Sequence, residues 1–212
     1  MRAIHVIGGG LAGAEAAHQI AQRGHRVVLH EMRPSTGTPA HRTAQLAELV
    51  CSNSLKSEQA DTAPWLLKQE LRRLGSLLLA VADQVRVPGG HALTVDRELF
   101  AEGVSRAIQS DPSIEIRREE VTEIPPEGIT IVATGPLTSD RLAAAITALT
   151  GTGQLSFFDS ISPIVEADTI DHNVVFRASR YGKSLDGSGD YLNCPLSRDQ
   201  YDRFYQALLG AE

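Results

Sequence analysis

Hydrophobic rhythm changes three times within the first thirty residues. Ile4-His5-Val6-Ile7 is a short apolar run, Ala14, Ala16, Ala17, Ile20 and Ala21 recur at helical spacing, and Val27-Val28-Leu29-His30-Glu31 is a second run ending in an acid. That order predicts strand, helix, strand. From 64 to 83, Leu67, Leu71, Leu74, Leu78 and Val81 predict one amphipathic helix with Lys68, Arg72 and Arg73 toward water. Residues 85–87 and 92–95 flank Pro88-Gly89-Gly90 as a hairpin, and Asp96 is placed to cap a helix over 97–108. Strands are expected at 114–117, 121–124 and 129–133, the last as a buried parallel strand. A helix follows with Leu142, Ala145, Ile146 and Leu149 on one face. Residues 162–166 read as a strand, and 177–190 as a Gly-rich, charged loop. Ser197 and Gln200 form a capping box for a last helix through Tyr201, Phe204, Leu208 and Leu209. The stretch 32–57, rich in Thr, Pro, Ser and His, reads as a functional loop with a short helix at 44–50. The fold class is therefore α/β, with a hinge at Gly151-Thr152-Gly153 dividing a first domain, 1–150, from the start of a second α+β domain, 151–212.

The junction of the first strand and helix carries the chemistry. Gly8-Gly9-Gly10-Leu11-Ala12-Gly13 follows the strand and opens the helix. Gly8 permits a sharp turn, Gly10 lets backbone approach a pyrophosphate, and Gly13 allows helix to pack closely on strand. The phosphates would meet the helix N-terminus, where N–H groups and the dipole favour an anion. Glu31, ending the second strand, is placed to accept hydrogen bonds from adenosine ribose hydroxyls. Strand, glycines, helix, strand and acid in register predict dinucleotide binding. Thr134-Gly135, at the end of the 129–133 run, is a second expected cofactor contact, against the plainer reading of a turn.

Composition narrows the class without changing that reading. At 42% hydrophobic and 22% charged over 212 residues, the chain has ordinary globular composition. Polar residues interrupt the N-terminal apolar run and no segment is long enough to span a bilayer, so a cytoplasmic location is expected, with no membrane partner. A net charge of -6 argues against a general nucleic-acid coat but leaves room for a local basic patch. Arg33 and Arg42 could attract a phosphate near Glu31, against the plainer reading of solvated loop arginines. The histidines at 5, 18, 25, 30, 41, 91 and 172 lack metal-ligand spacings, so no metal is expected.

Two cysteines far apart fit a reducing compartment. Cys51, in Cys51-Ser52-Asn53-Ser54-Leu55, is a candidate nucleophile whose hydroxyl and amide neighbours would support a thiolate; the alternative is an unreactive cysteine beneath a loop. Cys194, in Tyr191-Leu192-Asn193-Cys194-Pro195, reads as a packing residue.

Taken together, the glycine motif with Ala14-Glu15, Glu31-Met32-Arg33-Pro34, Pro39-Ala40-His41, Cys51-Ser52-Asn53-Ser54-Leu55, Ala133-Thr134-Gly135-Pro136-Leu137-Thr138-Ser139 and Tyr191-Leu192-Asn193-Cys194-Pro195 resemble the TrmFO family. These are the bacterial folate- and FAD-dependent tRNA (uracil-5-)-methyltransferases, and a more distant similarity is to GidA-type tRNA-modifying flavoproteins. The resemblance implies a Rossmann-like FAD-binding domain of glutathione-reductase type. It implies FAD as cofactor, NAD(P)H and 5,10-methylenetetrahydrofolate as co-substrates, and tRNA as partner, with C5 of a T-loop uridine methylated. It also makes Met32, Arg33, Ser52 and Asn53 expected cofactor neighbours beside Gly8–Gly13, Glu31, Thr134 and Gly135, and aligns Cys51 with one of the family's two catalytic cysteines, either the one that attacks uracil or the one that handles the flavin-bound methylene. In the family pattern the other cysteine lies beyond position 212. Two other classes stay open: an FAD-dependent oxidoreductase acting on a small substrate, and a non-catalytic FAD-binding module.

Overall fold

The computed structural model describes residues 3–151, 165–179 and 189–211. Four parallel strands, β1 (Ile4–Ile7), β2 (Val27–His30), β6 (Ile114–Arg117) and β7 (Thr130–Val132), form a sheet in the order β6-β2-β1-β7. The intervening elements are α1 (Leu11–Gln22), β3 (Ser54–Ser57), α2 (Ala63–Arg73), α3 (Leu77–Gln84), β4 (Arg86–Val87), β5 (Ala92–Val95) and α4 (Arg97–Ser110). The strand-helix-strand opening is the β1-α1-β2 unit, with Ile4 opposite Val27 and Ile7 opposite His30. All four residues of β2 are buried, as a strand flanked on both sides requires. The small face of α1, Ala14, Ala17 and Ala21, packs into one core with Leu29 of β2 and Phe100, Val104 and Ile108 of α4. Small residues let α1 lie close to the strands, and Phe100 and Ile108 fill the remaining depth.

A second, antiparallel sheet has the order β3-β5-β4. The expected hairpin forms there, with Arg86 opposite Val95 and Val87 opposite Thr94. β3 joins its other edge from a stretch expected to be loop. Asp96 caps α4, its carboxylate accepting the N–H groups of Glu98 and Leu99, each at 3.0 Å.

Five local expectations are corrected. The helix expected over 64–83 is two helices, because Gly75 adopts φ +73° and Ser76 restarts the chain as an N-cap. The Glu15 carboxylate of α1 accepts from the Ser76 hydroxyl at 2.9 Å and the Leu78 N–H at 3.0 Å, fastening that new start. Lys68 does not face water: it is 4% exposed, its ammonium bound to the carbonyls of Leu55 at 3.0 Å and Ser57 at 2.7 Å. Residues 44–50 form no helix; Leu46, Ala47 and Leu49 are buried one by one while the backbone bonds elsewhere. Residues 121–124 form no strand, and β7 is the sheet's edge among the described residues, with Ile129 and Val132 exposed.

After β7 come α5 (Asp140–Thr150), β8 (Phe176–Ala178), β9 (Tyr191–Asn193) and α6 (Arg198–Leu209). By contacts the chain forms two units, residues 1–87 with 92–162, and residues 88–91 with 163–212. The hinge expected at Gly151-Thr152-Gly153 begins at Gly151, the left-handed cap of α5 at φ +67°; Thr152 and Gly153 lie outside the described residues. So do residues 162–164 of the expected strand, and Val165 and Glu166 are not in one. Of the expected loop at 177–190, residues 180–188 lie outside, while Arg177 and Ala178 belong to β8. In the second unit β8 and β9 pair antiparallel. The predicted capping box of α6 is formed, with Ser197 N–H to Gln200 Oε1 at 2.8 Å and Gln200 N–H to Ser197 Oγ at 3.3 Å. Among the described residues, no helix is long and apolar enough to cross a membrane.

Candidate functional site

The glycine loop is tight where the sequence demands glycine and open where a ligand would approach. Gly8 has φ +101°, and a Cβ there would stand 2.8 Å from the Ala133 carbonyl oxygen at the end of β7. At Gly13 a Cβ would collide with the Gly8 carbonyl oxygen. Both glycines are thus needed for packing. Gly9 donates its N–H to Glu31 Oε2 at 3.0 Å and accepts from Ala47 N–H at 2.8 Å. Around Gly10, the N-cap of α1, a Cβ would meet nothing within 4 Å. That open side faces a cleft of about 700 Å³, to which Gly8, Gly9, Gly10, Leu11 and Ala12 contribute.

The same cleft is lined by Glu31, Met32 and Arg33, by Cys51 and Ser52, and by Thr134 and Gly135. Distant stretches of sequence therefore converge on one cavity. Gly13 and Asn53 do not line it. Gly13 supports the loop from beneath, and Asn53 fastens the cysteine segment to β5, its side-chain amide donating to Val95 O at 2.9 Å and its carbonyl accepting Val95 N–H at 3.0 Å. Thr134 and Gly135 are held locally: Thr138 Oγ1 lies 2.6 Å from Thr134 Oγ1 and donates to the Gly135 carbonyl at 2.8 Å. Cys51 is exposed at the cleft. Cys194 is exposed in the second unit, so the packing role expected of it is not what the structure has.

Glu31 and Arg33 form a buried pair, 5% and 3% exposed. Arg33 Nε meets Glu31 Oε1 at 2.9 Å and Nη2 meets Oε2 at 3.1 Å, the bidentate geometry that suits guanidinium to carboxylate. Arg33 N–H adds a bond to Oε1 at 3.0 Å, so with Gly9 the carboxylate accepts four. Arg33 Nη1 turns away to Glu48 Oε2 at 3.0 Å and the Thr43 carbonyl at 3.1 Å. Burial alone would raise the Glu31 carboxyl, but Arg33's hydrogen bonds and charge outweigh it and hold it below the usual carboxylate range. Glu48 is likewise lowered against its burial, by N–H groups of Arg42 and Thr43 and the Thr43 hydroxyl. The expected ribose acceptor is thus one half of a salt bridge. Of the two arginines expected to attract a phosphate, Arg33 is engaged in this way and Arg42 donates its backbone N–H to Glu48 at 2.9 Å.

Sequence reasoning missed several contributors to the cleft. Glu48, His30, Lys56 and Glu119 all line it. His30 is 6% exposed and stacked on His5, with ring centroids 5.3 Å apart, while its Nδ1 lies 3.2 Å from Glu119. Burial and the His5 charge lower the His30 pKa, against the pull of Glu119. Neither contact has a local signal, since His30 and Glu119 are 89 positions apart. Lys56 did have one: it directly follows the Cys51–Leu55 motif. Among the described residues, no group of three or more His, Cys, Asp or Glu side chains is arranged to hold a metal ion.

A parallel sheet ordered 6-2-1-7, a glycine turn off its first strand and an acid at the end of its second define a Rossmann-like dinucleotide-binding α/β fold. Consistent with this, the fold resembles Aquifex aeolicus GidA at a TM-score of 0.51 and 20% identity, covering 63% of this chain and 25% of that one. The family model described as "Glucose inhibited division protein A" matches residues 3–212, and the chain belongs to that family. It is 62% identical over 209 residues to a Solibacter usitatus protein named Methylenetetrahydrofolate--tRNA-(uracil-5-)-methyltransferase TrmFO, covering 99% of this chain and 47% of that protein. A Geobacter sulfurreducens protein of the same name is 59% identical over 210 residues, covering 99% and 48%. The chain spans about half the length of these relatives.

Proposed function

We propose that this chain supplies the FAD-binding portion and one catalytic thiol of a folate-dependent tRNA (uracil-5-)-methyltransferase. The observation that carries the reading is the convergence of the glycine loop, Glu31–Arg33 and exposed Cys51 on one cleft. The names of relatives 62% and 59% identical supply the reaction. The residues present fit a dinucleotide: open space at Gly10 admits a pyrophosphate to the N-terminus of α1, and a volume of about 700 Å³ is ample. Gly8–Ala12 would hold the pyrophosphate, the Glu31–Arg33 pair with Met32 the adenosine ribose, and Ser52, Thr134 and Gly135 further parts of the cofactor. Gly13 and Asn53 act indirectly, by packing the loop and by anchoring the cysteine segment.

Bound FAD, reduced by NAD(P)H, supplies the redox and one-carbon chemistry that transfer from 5,10-methylenetetrahydrofolate requires. The chain's part is to supply one of the thiols that chemistry needs. C5 becomes nucleophilic only after a nucleophile adds at C6, and a thiolate is the side chain suited to that addition. Cys51, accessible at the cleft, is one of the two thiols this chemistry uses: either the thiolate that forms the S–C6 bond while the ring electron pair moves toward C5 and O4, or the thiol that acts at the incoming one-carbon unit. C5 then bonds the one-carbon unit, and loss of the C5 proton with expulsion of the thiolate restores the C5–C6 double bond, reduction of the added carbon to methyl being the chemistry that bound FAD would supply. Reversible addition is what a thiolate does well, because sulfur is both nucleophile and leaving group.

The test is folate-dependent incorporation of label into unmodified tRNA by the protein that carries this chain, with Cys51→Ala alongside. Expected are label at uridine C5 and a loss of at least about 10³-fold in Cys51→Ala, as for removal of a nucleophile. A Cys51→Ala protein with full activity removes the thiol from the mechanism; a flavoprotein that oxidises NAD(P)H but never labels tRNA favours a small-substrate oxidoreductase.

A further inference from the structure

β3 is broken in a specific way. Its register on β5 pairs Ser54 with Thr94 and Ser57 with Ala92, so Leu55 and Lys56 together face the single residue Leu93. This is a β-bulge, a device that re-aims a side chain and is over-represented beside active sites. Lys56 sits within it at φ +65°, in the left-handed region that a residue with a Cβ rarely occupies. Two neighbours hold it there. Its N–H donates to Ser54 Oγ at 3.3 Å, and buried Lys68 binds the carbonyls of Leu55, Lys56 and Ser57 from α2. The Lys68 ammonium thus consumes three consecutive backbone acceptors, fixing the bulge from behind.

The bulge places Lys56 exposed, on the wall of the cleft that carries Cys51, Ser52 and Ser54. The other long cation on that lining, Arg33, is spent on Glu31, Glu48 and a carbonyl. We infer that Lys56 is a phosphate-binding residue of the cleft, and that the strained bulge, locked by Lys68, exists to present its ammonium beside Cys51. The inference rests on the proposed function for the identity of the phosphate. The glycine loop already offers backbone N–H groups and a helix N-terminus to a pyrophosphate, so the phosphate assigned to Lys56 is that of the RNA flanking the target uridine.

The experiment compares Lys56→Gln, Lys56→Gly and Lys56→Arg with the unaltered protein, using an unmodified tRNA transcript and FAD as separate probes, with melting followed in parallel. Glycine accepts φ +65° freely, so Lys56→Gly should melt no lower than the parent. It should nonetheless bind the transcript about tenfold more weakly, as should Lys56→Gln, with Lys56→Arg near the parent. The salt dependence should lose about 0.7 of its logarithmic slope, the amount for one phosphate contact on a single strand. FAD affinity should be unchanged. If instead FAD binding weakens and RNA binding does not, the phosphate subsite stands and its occupant is the cofactor. Unchanged binding of both probes in Lys56→Gln and Lys56→Gly overturns the inference alone; a parent protein that takes neither FAD nor tRNA overturns it together with the proposed function.

Discussion

Removing Arg33 is the sharpest structural perturbation available at the cleft. In Arg33→Met, Glu31 keeps its burial but loses the bidentate guanidinium and is left with the N–H groups of Gly9 and residue 33. Breaking a buried pair from one side costs about 3–5 kcal/mol, because the remaining charge is desolvated without compensation. The lost bonds to Glu48 and the Thr43 carbonyl belong to the same network and are not added separately. For a domain of this size each kcal/mol moves Tm by about 2–4 °C, so the melt should fall by about 6–20 °C at pH 7. The sign with pH follows from linkage. Glu31 is held below 4.5 in the folded protein, so its contribution is complete above that value and is lost as pH falls through the folded pKa. In Arg33→Met the same carboxyl, still buried but without its partner, protonates at higher pH, and the gap between variant and parent should narrow as the solution is acidified. Adding Glu31→Gln should recover part of the loss at pH 7. Thermal melts followed by circular dichroism at pH 7 and pH 5 read all three. A drop under about 2 °C at pH 7, or a gap that widens toward acid, would refute the buried-pair reasoning.

Two further predictions follow from packing and titration. Gly13→Ala forces a Cβ into the Gly8 carbonyl oxygen, so α1 must shift or the loop open; the cost should be about 1–3 kcal/mol with weakened FAD binding, read by urea unfolding and flavin fluorescence, whereas Gly10→Ala should fold like the parent. His30 and His41 are both held below 6.5, chiefly by burial, so the folded protein resists protons that the unfolded chain accepts. Stability should be complete above about pH 6.5 and decline below it, and His30→Gln should flatten that decline; an unfolding midpoint that is level from pH 7.5 to 5.5, or rises toward acid, contradicts the assignment.

How much of this was legible beforehand depended on whether the deciding contact was local. The β1-α1-β2 unit was readable because glycines, small helix face and terminal acid act over neighbouring residues. The split between α2 and α3 was half visible in Gly75-Ser76, but the Glu15 carboxylate that secures it lies 61 positions from Ser76. Lys68 looked like a solvated charge, and only the folded bulge supplies the carbonyls that make its burial tolerable. Residues 44–50 carried helical spacing, yet Leu46 N–H bonds Ser105 Oγ at 2.8 Å and Ala47 N–H bonds Gly9 O, so tertiary partners won over an isolated turn of helix. At the cleft, residue types were legible while their partners were not: Glu31 was expected as a carboxylate awaiting a ribose, and the structure has it clasped by Arg33.

The central claim is that the cleft is an FAD site, and the most direct measurement is the visible spectrum of the purified protein, with the cofactor released by denaturation and identified. The account predicts flavin absorption, FAD as the released species and less bound flavin in Gly13→Ala. A colourless protein that takes up no added FAD would contradict it.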